Sequence, residues 1–369
     1  MLATYGISVE IKTQQKTAKQ IVMMSNLKLN EELQRLEPLE HLRIILRGAG
    51  QVMFQPSAWA GLFFIVGIFW GAYSSHTPEV AWGALLGLVV STLTGYLIDM
   101  PSEDGRQGLW GFNGILVGCA FPTFLGNTVW VWIALVLCAA MTVWVRTAMN
   151  NVMAPWRVNS FTFPFVFCTW IFILAARAMN SMPPEHLPDP TLPEVFSSTI
   201  DLHITNLITY CLEGVSQVFL IESWVTGLLF LIGLAISSPI AALTAFGGSA
   251  LALLVALVFG TAGTETAHGL YSFSAVLTAL AVGVVFYKPN LHSALWATLA
   301  TIVTVFMQAA MNVLLLPLGI ATLTAPFCVT TWLFLLPLMA INNEENLDHS
   351  NWNPDNKRHL AKHSQTPKN

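Results

Sequence analysis

Apolar stretches of about 20 residues recur along the chain and limit its possible folds more than any other feature. They cover 58–75, 79–99, 108–125, 129–147, 160–178, 224–236, 239–259, 269–286, 292–314 and 320–341. Stretches of this kind can cross a bilayer as helices. Only 10% of the residues are charged and 54% are hydrophobic, whereas soluble domains carry about 25% charged residues. The sequence therefore predicts an all-α polytopic membrane protein, rather than a soluble protein with a very large core.

Basic residues are concentrated at the two ends of the chain. They precede the first apolar stretch and follow the last: Lys12, Lys16, Lys19, Lys28, Arg35, Arg43 and Arg47, then Lys357, Arg358, Lys362 and Lys368. If ten spans alternate, the loops with Arg106, with Arg146 and Arg157, and with Lys288 lie on the same side as these ends. Because basic loops stay in the cytoplasm, both termini are predicted to be cytoplasmic.

Three blocks of sequence occur twice, in the same order. "RGAGQVMF" (47–54) matches "EGVSQVFL" (213–220), and "GLWGFNGIL" (108–116) matches "GLYSFSAVL" (269–277). "FTFPFVFCTW" (161–170) matches "LTAPFCVTTW" (323–332), and each puts a proline inside an apolar run. The offsets lie between 161 and 166 residues. Apolar composition alone does not produce such order, so the sequence indicates an internal duplication.

An odd number of spans in each half makes the second half enter the membrane from the opposite side. We therefore expect two inverted repeats of about five transmembrane helices each, with a re-entrant half-helix per repeat and a central pore. The predicted division is a cytoplasmic N-terminal extension, a first membrane repeat, an extracytoplasmic loop, a second membrane repeat and a cytoplasmic tail: 1–38, 39–180, 181–199, 200–341 and 342–369.

The polar residues that the duplication repeats are uncharged. Gln51 matches Gln217, and Thr162 matches Thr324. A glutamine amide carries both an acceptor and a donor, which suits a small neutral amide-like solute. For each residue taken alone, the alternative is a hydrogen bond that holds helices together or loosens one helix turn. Because the residues occur as matched pairs, we predict that they line the pore.

Apolar residues of the same blocks are candidates for the walls of the pore. They are Val52, Phe54, Phe112, Leu116, Val218, Leu220, Phe273 and Leu277. Phe112 and Leu116 are four residues apart and share a helix face, as do Phe273 and Leu277. Two such faces would form a narrow slot for a planar solute, although core packing is the usual role of each residue alone.

Together and in duplicate, the Gly-x-x-Gln-Val, Gly-Leu-x-x-Phe-x-x-x-Leu and Thr-x-Pro-Phe motifs resemble the urea transporters over about residues 40–341. The resemblance implies passive, channel-like passage of urea, with Gln51 and Gln217 accepting its N–H groups and the two threonines serving the centre. It also implies a homotrimer in the lipid bilayer, with one pore per subunit and no cofactor. The segments "VNSFTFPF" and "GIATLTAPF" lack the family's usual Leu-Pro lead, and Leu220 stands where some relatives have phenylalanine.

Other functions stay open at this point. The pore could pass ammonia, water or short-chain amides, or the protein could be a proton-coupled carrier that uses Glu213 or Glu265. No matched nucleophile, base or metal-ligand set supports an enzyme, and no nucleic-acid partner is expected. The five cysteines read as small buried hydrophobic residues. The absence of a glycosylation sequon favours a bacterial inner membrane.

Overall fold

The structure, a computed structural model, describes residues 37–98, 100, 102–192 and 200–339. The predicted N-terminal extension up to residue 36 and the C-terminal tail lie outside this range. The described helices are α1 (Pro38–Gln51), α2 (Ala58–Ser74), α3 (Pro78–Leu97), α4 (Ser102–Arg106), α5 (Phe112–Phe124), α6 (Val129–Met153), α7 (Phe163–Ala176), α8 (Ile204–Ser216), α9 (Trp224–Ser237), α10 (Pro239–Phe259), α11 (Gly263–Ala267), α12 (Phe273–Leu280), α13 (Leu291–Leu315) and α14 (Ala325–Leu335). The prediction of a helical protein is confirmed.

Four helices, α3, α6, α10 and α13, are long and apolar enough to cross a membrane. Short 3₁₀ turns continue α6 to Trp156 and α13 to Leu318, which makes each of these two segments 28 residues long. Helices α8 and α9 together also pass this test, but a bend of 75° separates them. The remaining apolar helices, α2, α5, α7, α12 with its π-helical turn Ala281–Val285, and α14, contain only 10–17 residues. The predicted spans at 108–125, 160–178 and 320–341 are therefore longer than the helices inside them.

The prolines of the Thr-x-Pro-Phe motif explain two of these differences. Pro164 and Pro326 lie in the first turns of α7 and α14, where a missing backbone N–H costs no hydrogen bond. The residues before the threonines, Phe161 and Leu323, adopt left-handed backbone angles with φ of 50° and 51°. Each apolar run thus holds an irregular segment followed by a helix. The proline begins the helix rather than interrupting it.

Glycines allow α3 and α5 to pack backbone against backbone. A Cβ atom added at Gly83 would lie 2.3 Å from the carbonyl oxygen of Gly118, and one at Gly87 would lie 2.1 Å from that of Gly114. Small residues at such contacts are typical of helix pairs in membranes, because van der Waals packing replaces the hydrophobic effect there.

Another glycine contact joins two of the duplicated motifs. Gly108 has φ of 81° and Gly269 has φ of 74°, a conformation that favours glycine. A Cβ at Gly108 would lie 2.5 Å from the backbone nitrogen of Gly48, and one at Gly269 would lie 2.4 Å from that of Gly214. In both halves, the Gly-Leu motif therefore packs directly on the Gly-x-x-Gln-Val motif, and this contact explains why the two motifs recur together.

The close packing of α3 on α5 leads to a test of the fold. We expect Gly87→Ala to lower the free energy of unfolding by about 1–3 kcal/mol, because the new methyl group overpacks the contact with Gly114. Gly247→Ala on α10 is the matched control, since a Cβ there would meet no atom within 4 Å. Thermal melting of the detergent-purified variants measures both effects. Equal melting temperatures would contradict the proposed packing constraint.

Candidate functional site

The two predicted pore threonines contact each other directly. The Oγ1 atoms of Thr162 and Thr324 lie 2.6 Å apart, and both side chains are buried. Each threonine is the residue immediately before its helix, α7 or α14, so the two helices begin at this point. One hydroxyl donates to the other, and each oxygen retains lone pairs that can accept a further hydrogen bond. The Sγ atom of Cys328 lies 3.4 Å from Thr162 Oγ1.

Two tryptophans fix the irregular segments around this pair. Trp170 Nε1 donates to the carbonyl of Ala321 (2.9 Å), and Trp332 Nε1 donates to the carbonyl of Asn159 (2.8 Å). Each indole thus satisfies a carbonyl of the other half of the chain. The exchange explains why Thr-Trp follows Thr-x-Pro-Phe in both copies.

A cavity of about 520 Å³ lies on the second-half side of the threonine pair. Three predicted pore residues line it: Gln217, Leu220 and Phe273. The wall also includes Leu323, which directly precedes Thr324. The structure therefore brings these three predicted residues together at one end of a candidate path to the centre.

The two predicted glutamines differ in their surroundings. Gln217 is 7% exposed and lines the cavity, and its side chain forms no hydrogen bond with the described residues. Gln51 is half-buried, and its Nε2 atom donates to the carbonyl of Gln107 at 2.8 Å. That bond uses one of the two N–H groups of Nε2, so the Gln51 side-chain oxygen and the second N–H group are available to a solute. The amide of Gln217 is available as both donor and acceptor.

Aromatic rings cluster on the first-half side of the threonine pair. Phe54 packs against Phe286 and Phe327, with ring centroids 5.9 and 6.0 Å apart. Phe161 packs against the same two rings at 5.4 and 5.5 Å. The second half has Leu220 and Leu323 where the first has Phe54 and Phe161, and all four residues have positive φ angles. The backbone is duplicated, but the walls are aromatic on one side and partly aliphatic on the other.

The predicted wall residue Phe112 lies beside a buried ion pair. The guanidinium carbon of Arg146 is 6.0 Å from the centre of the Phe112 ring. The Nη1 atom of Arg146 also lies 2.7 Å from Asp104 Oδ2, with side-chain exposures of 8% and 4%. Glu265 and Gln308 occupy the equivalent positions of the second half.

Gln308 belongs to a neutral hydrogen-bond network instead of an ion pair. Its side-chain oxygen accepts from Ser274 Oγ at 3.0 Å, and its Nε2 atom lies 2.7 Å from Thr322 Oγ1 and 2.9 Å from Asn312 Oδ1. The buried amide is thus fully engaged. The two halves support their equivalent segments with different chemistry.

Four predicted wall residues lie in the packed core: Val52, Leu116, Val218 and Leu277. Each is at most 1% exposed, and none of them lines the cavity of about 520 Å³. Their contact with a solute stays a prediction. The five cysteines are buried and form no disulfide, in agreement with their expected packing role.

Sequence reasoning missed several residues that build the site. Glu265 was considered only as a proton carrier, whereas Phe161, Phe286, Leu323 and Gln308 were not singled out. The offset of the repeat was the available signal, because it pairs Phe161 with Leu323 and Arg146 with Gln308. Both pairs differ in chemistry between the halves, so a search for matching residues passes over them.

Comparison with known proteins gives a family match over most of the chain. The family model described as "Urea transporter" matches residues 42–339. Urea transporter 1 of Ovis aries is 28% identical over 303 residues, which cover 81% of this chain and 78% of the relative. Urea transporter 1 of Mus musculus is 29% identical over 303 residues, covering 81% and 77%. The family match covers nearly all of the described helices, and the repeated motifs lie within it. The chain therefore belongs to the urea transporter family.

Proposed function

We propose that the chain passes urea across a membrane passively, through a channel between two halves arranged as an inverted repeat. The observation that carries this proposal is the hydroxyl contact of Thr162 and Thr324, which joins the two copies of one motif beside a cavity containing Gln217. The names of the mammalian relatives support urea as the solute.

The chemistry of urea suits these groups. Urea is planar, with one carbonyl acceptor and four N–H donors, and it loses hydrogen bonds to water when it enters an apolar path. Each unsatisfied polar group costs about 1–3 kcal/mol. The amide of Gln217, the oxygen of Gln51 and the threonine hydroxyls would replace some of those bonds. Apolar side chains such as Phe54 and Phe273 would face the flat surfaces of the solute.

The narrow centre favours a neutral solute over an ion. Thr162 and Thr324 carry no charge, and the residues that precede them are Phe161 and Leu323. An ion would lose its hydration there without a charged partner, at a cost of many kcal/mol. Ammonia, water and short-chain amides satisfy the same condition, so they are the alternatives to urea.

A proton-coupled urea or amide carrier is a separate alternative. Glu265 lines the cavity, and burial raises the pKa of its carboxyl, although a hydrogen bond from Tyr271 opposes this change. Such a carboxyl could bind a proton during transport. A passive channel needs no proton, so dependence on a pH gradient separates the two mechanisms.

Assembly and location are further parts of the proposal. We expect a homotrimer with one pore per subunit, in a lipid bilayer, with both termini in the cytoplasm. The named relatives are mammalian, so they give no support to a bacterial inner membrane. Cross-linking of the purified protein tests the trimer, and a single band at the mass of the monomer would contradict it.

The first experiment is stopped-flow light scattering of proteoliposomes under an inward urea gradient, with and without a pH gradient. We expect urea entry well above that of empty liposomes and unchanged by the pH gradient. Entry that requires the gradient would replace the channel by a coupled carrier. If the assembled protein admits no urea, the solute is wrong, and ammonia and short amides are tested next.

The threonine pair gives a second prediction. Thr162→Val and Thr324→Val keep the side-chain shape but remove a hydrogen-bonding group, so we expect urea flux to fall about fivefold, from the loss of a bond worth about 1 kcal/mol. Thr331→Val is the matched control, because Thr331 is also buried and duplicated but its hydroxyl has no hydrogen-bond partner among the described residues. Unchanged flux in both pore variants would assign the pair to helix packing.

The glutamines give a third prediction. We expect Gln217→Ala and Gln51→Ala each to lower urea flux while the oligomer stays intact on gel filtration. Gln107→Ala is the control, because its main-chain carbonyl, the partner of Gln51, remains in place. Wild-type flux in both single variants and in the double variant would contradict the proposed role of the amides.

A further inference from the structure

Glu265 lies in different electrostatic surroundings from Asp104, its equivalent in the first half. Asp104 forms a buried ion pair with Arg146, but Gln308 stands at the position equivalent to Arg146. In the described part of the chain, no lysine or arginine forms an ion pair with Glu265. The carboxyl lines the cavity of about 520 Å³ and lies next to Tyr271. In the first half, Arg146 neutralises the carboxylate of Asp104. In the second half, the carboxyl group of Glu265 lines a cavity instead.

Other groups add to the negative character of this cavity. A second carboxyl, that of Glu222, lines it, with His268 Nδ1 3.0 Å from its Oε2 atom. The C-terminal end of α13 also reaches the wall, and its last carbonyls carry partial negative charge. The guanidinium of Arg177 donates to the carbonyls of Pro188 and Gly319, two residues that line the cavity. Among the described residues that line the cavity there is no lysine or arginine.

An amide that faces the cavity points to a ligand with N–H groups. Gln217 is 93% buried, lines the same cavity and forms no side-chain hydrogen bond with the described residues. The amide atoms of Gln217 are not among the fully buried polar atoms that lack a partner, so they are accessible from the cavity, and an occupant that donates to the amide oxygen would replace water there. The amide and the carboxylate of Glu265 together offer acceptors to a planar group with several N–H donors.

The size and remaining walls of the cavity indicate a ligand larger than urea. A volume of about 520 Å³ lies within the range typical of sites for drug-sized molecules. Phe124, Phe273, Leu220 and Leu323 supply apolar surface, including two aromatic rings. A ligand that fills the cavity therefore combines a planar N–H donor group with an apolar body.

We propose that this cavity binds an amidinium or guanidinium cation attached to an aromatic group, and that the bound cation blocks the pathway. The cation would meet the carboxylate of Glu265 and the oxygen of Gln217. It would stop there because Thr162 and Thr324 supply no charge to replace its hydration. The blocking step rests on the proposed urea channel, whereas the binding step does not.

Calorimetric titration of the purified full-length protein with benzamidine tests the binding step. Burial raises the pKa of Glu265, so the titration is done at about pH 8, above the ordinary pKa of a carboxyl, to favour the charged form. Benzamide is the matched neutral probe, since it has nearly the same shape without the charge. We expect benzamidine to bind at least tenfold more tightly than benzamide.

Two variants address the carboxylate itself. Glu265→Gln removes the charge and keeps the shape, and Gln308→Arg restores the arginine of the first half as a competing partner. We expect at least tenfold weaker benzamidine binding in each, so a folding failure of one variant leaves the other. Glu185→Gln is the control, because Glu185 is an exposed carboxylate of the loop after α7 that does not line the cavity. It should bind like the wild type.

The outcomes separate this inference from the proposed function. Equal binding of benzamidine and benzamide, unchanged binding in Glu265→Gln, or no binding at all would each overturn the cation site. Urea flux is measured independently in proteoliposomes, and benzamidine should inhibit it in the wild type but much less in Glu265→Gln. Binding without inhibition would overturn the block. Absence of urea flux in the wild type would overturn the channel and leave the binding result valid.

Discussion

Two irregular backbone segments meet inside an apolar core, and their polar groups must find partners within the protein because hydrocarbon offers none. The bonds between the halves answer this requirement. The Trp170 and Trp332 indoles satisfy carbonyls across the interface, and the hydroxyls of Thr162 and Thr324 satisfy each other. These bonds satisfy polar groups at the point where α7 and α14 begin in the protein interior, and the candidate path passes through that arrangement.

Duplication has preserved the backbone more strictly than the side chains. Phe54 and Leu220 share a left-handed conformation that is unfavourable for bulky residues, as do Phe161 and Leu323. Such conformations persist when the surrounding structure enforces them, and they cluster at functional sites. The aromatic rings of Phe54 and Phe161 and the aliphatic groups of Leu220 and Leu323 give the two approaches to the threonine pair different side-chain surfaces. The two approaches therefore share backbone conformations at these positions but differ in their side chains.

The sequence predicted the positions of the apolar helices well, and the repeat singled out Thr162 and Thr324 as a matched pair, but it did not predict that their hydroxyls contact each other. It did not predict helix lengths, because hydropathy counts an apolar irregular segment such as 160–162 together with the helix that follows. It also missed the ion pair of Asp104 and Arg146, since these residues are 42 positions apart and only tertiary packing joins them. The different states of Gln51 and Gln217 depend on neighbours that the matched motifs do not reveal.

The hydrogen bonds of the two tryptophans form a self-complementary contact between the halves. Trp170 and Trp332 are equivalent residues, as are their acceptors Asn159 and Ala321, so each half supplies one donor and one acceptor to the same kind of contact. Self-complementary contacts of this type are those of an isologous interface between identical chains. A polypeptide that comprised a single half would already contain both the indole donor and the carbonyl acceptor of the contact. The contact therefore needs no residue that is particular to one half, because each half brings one donor and one acceptor.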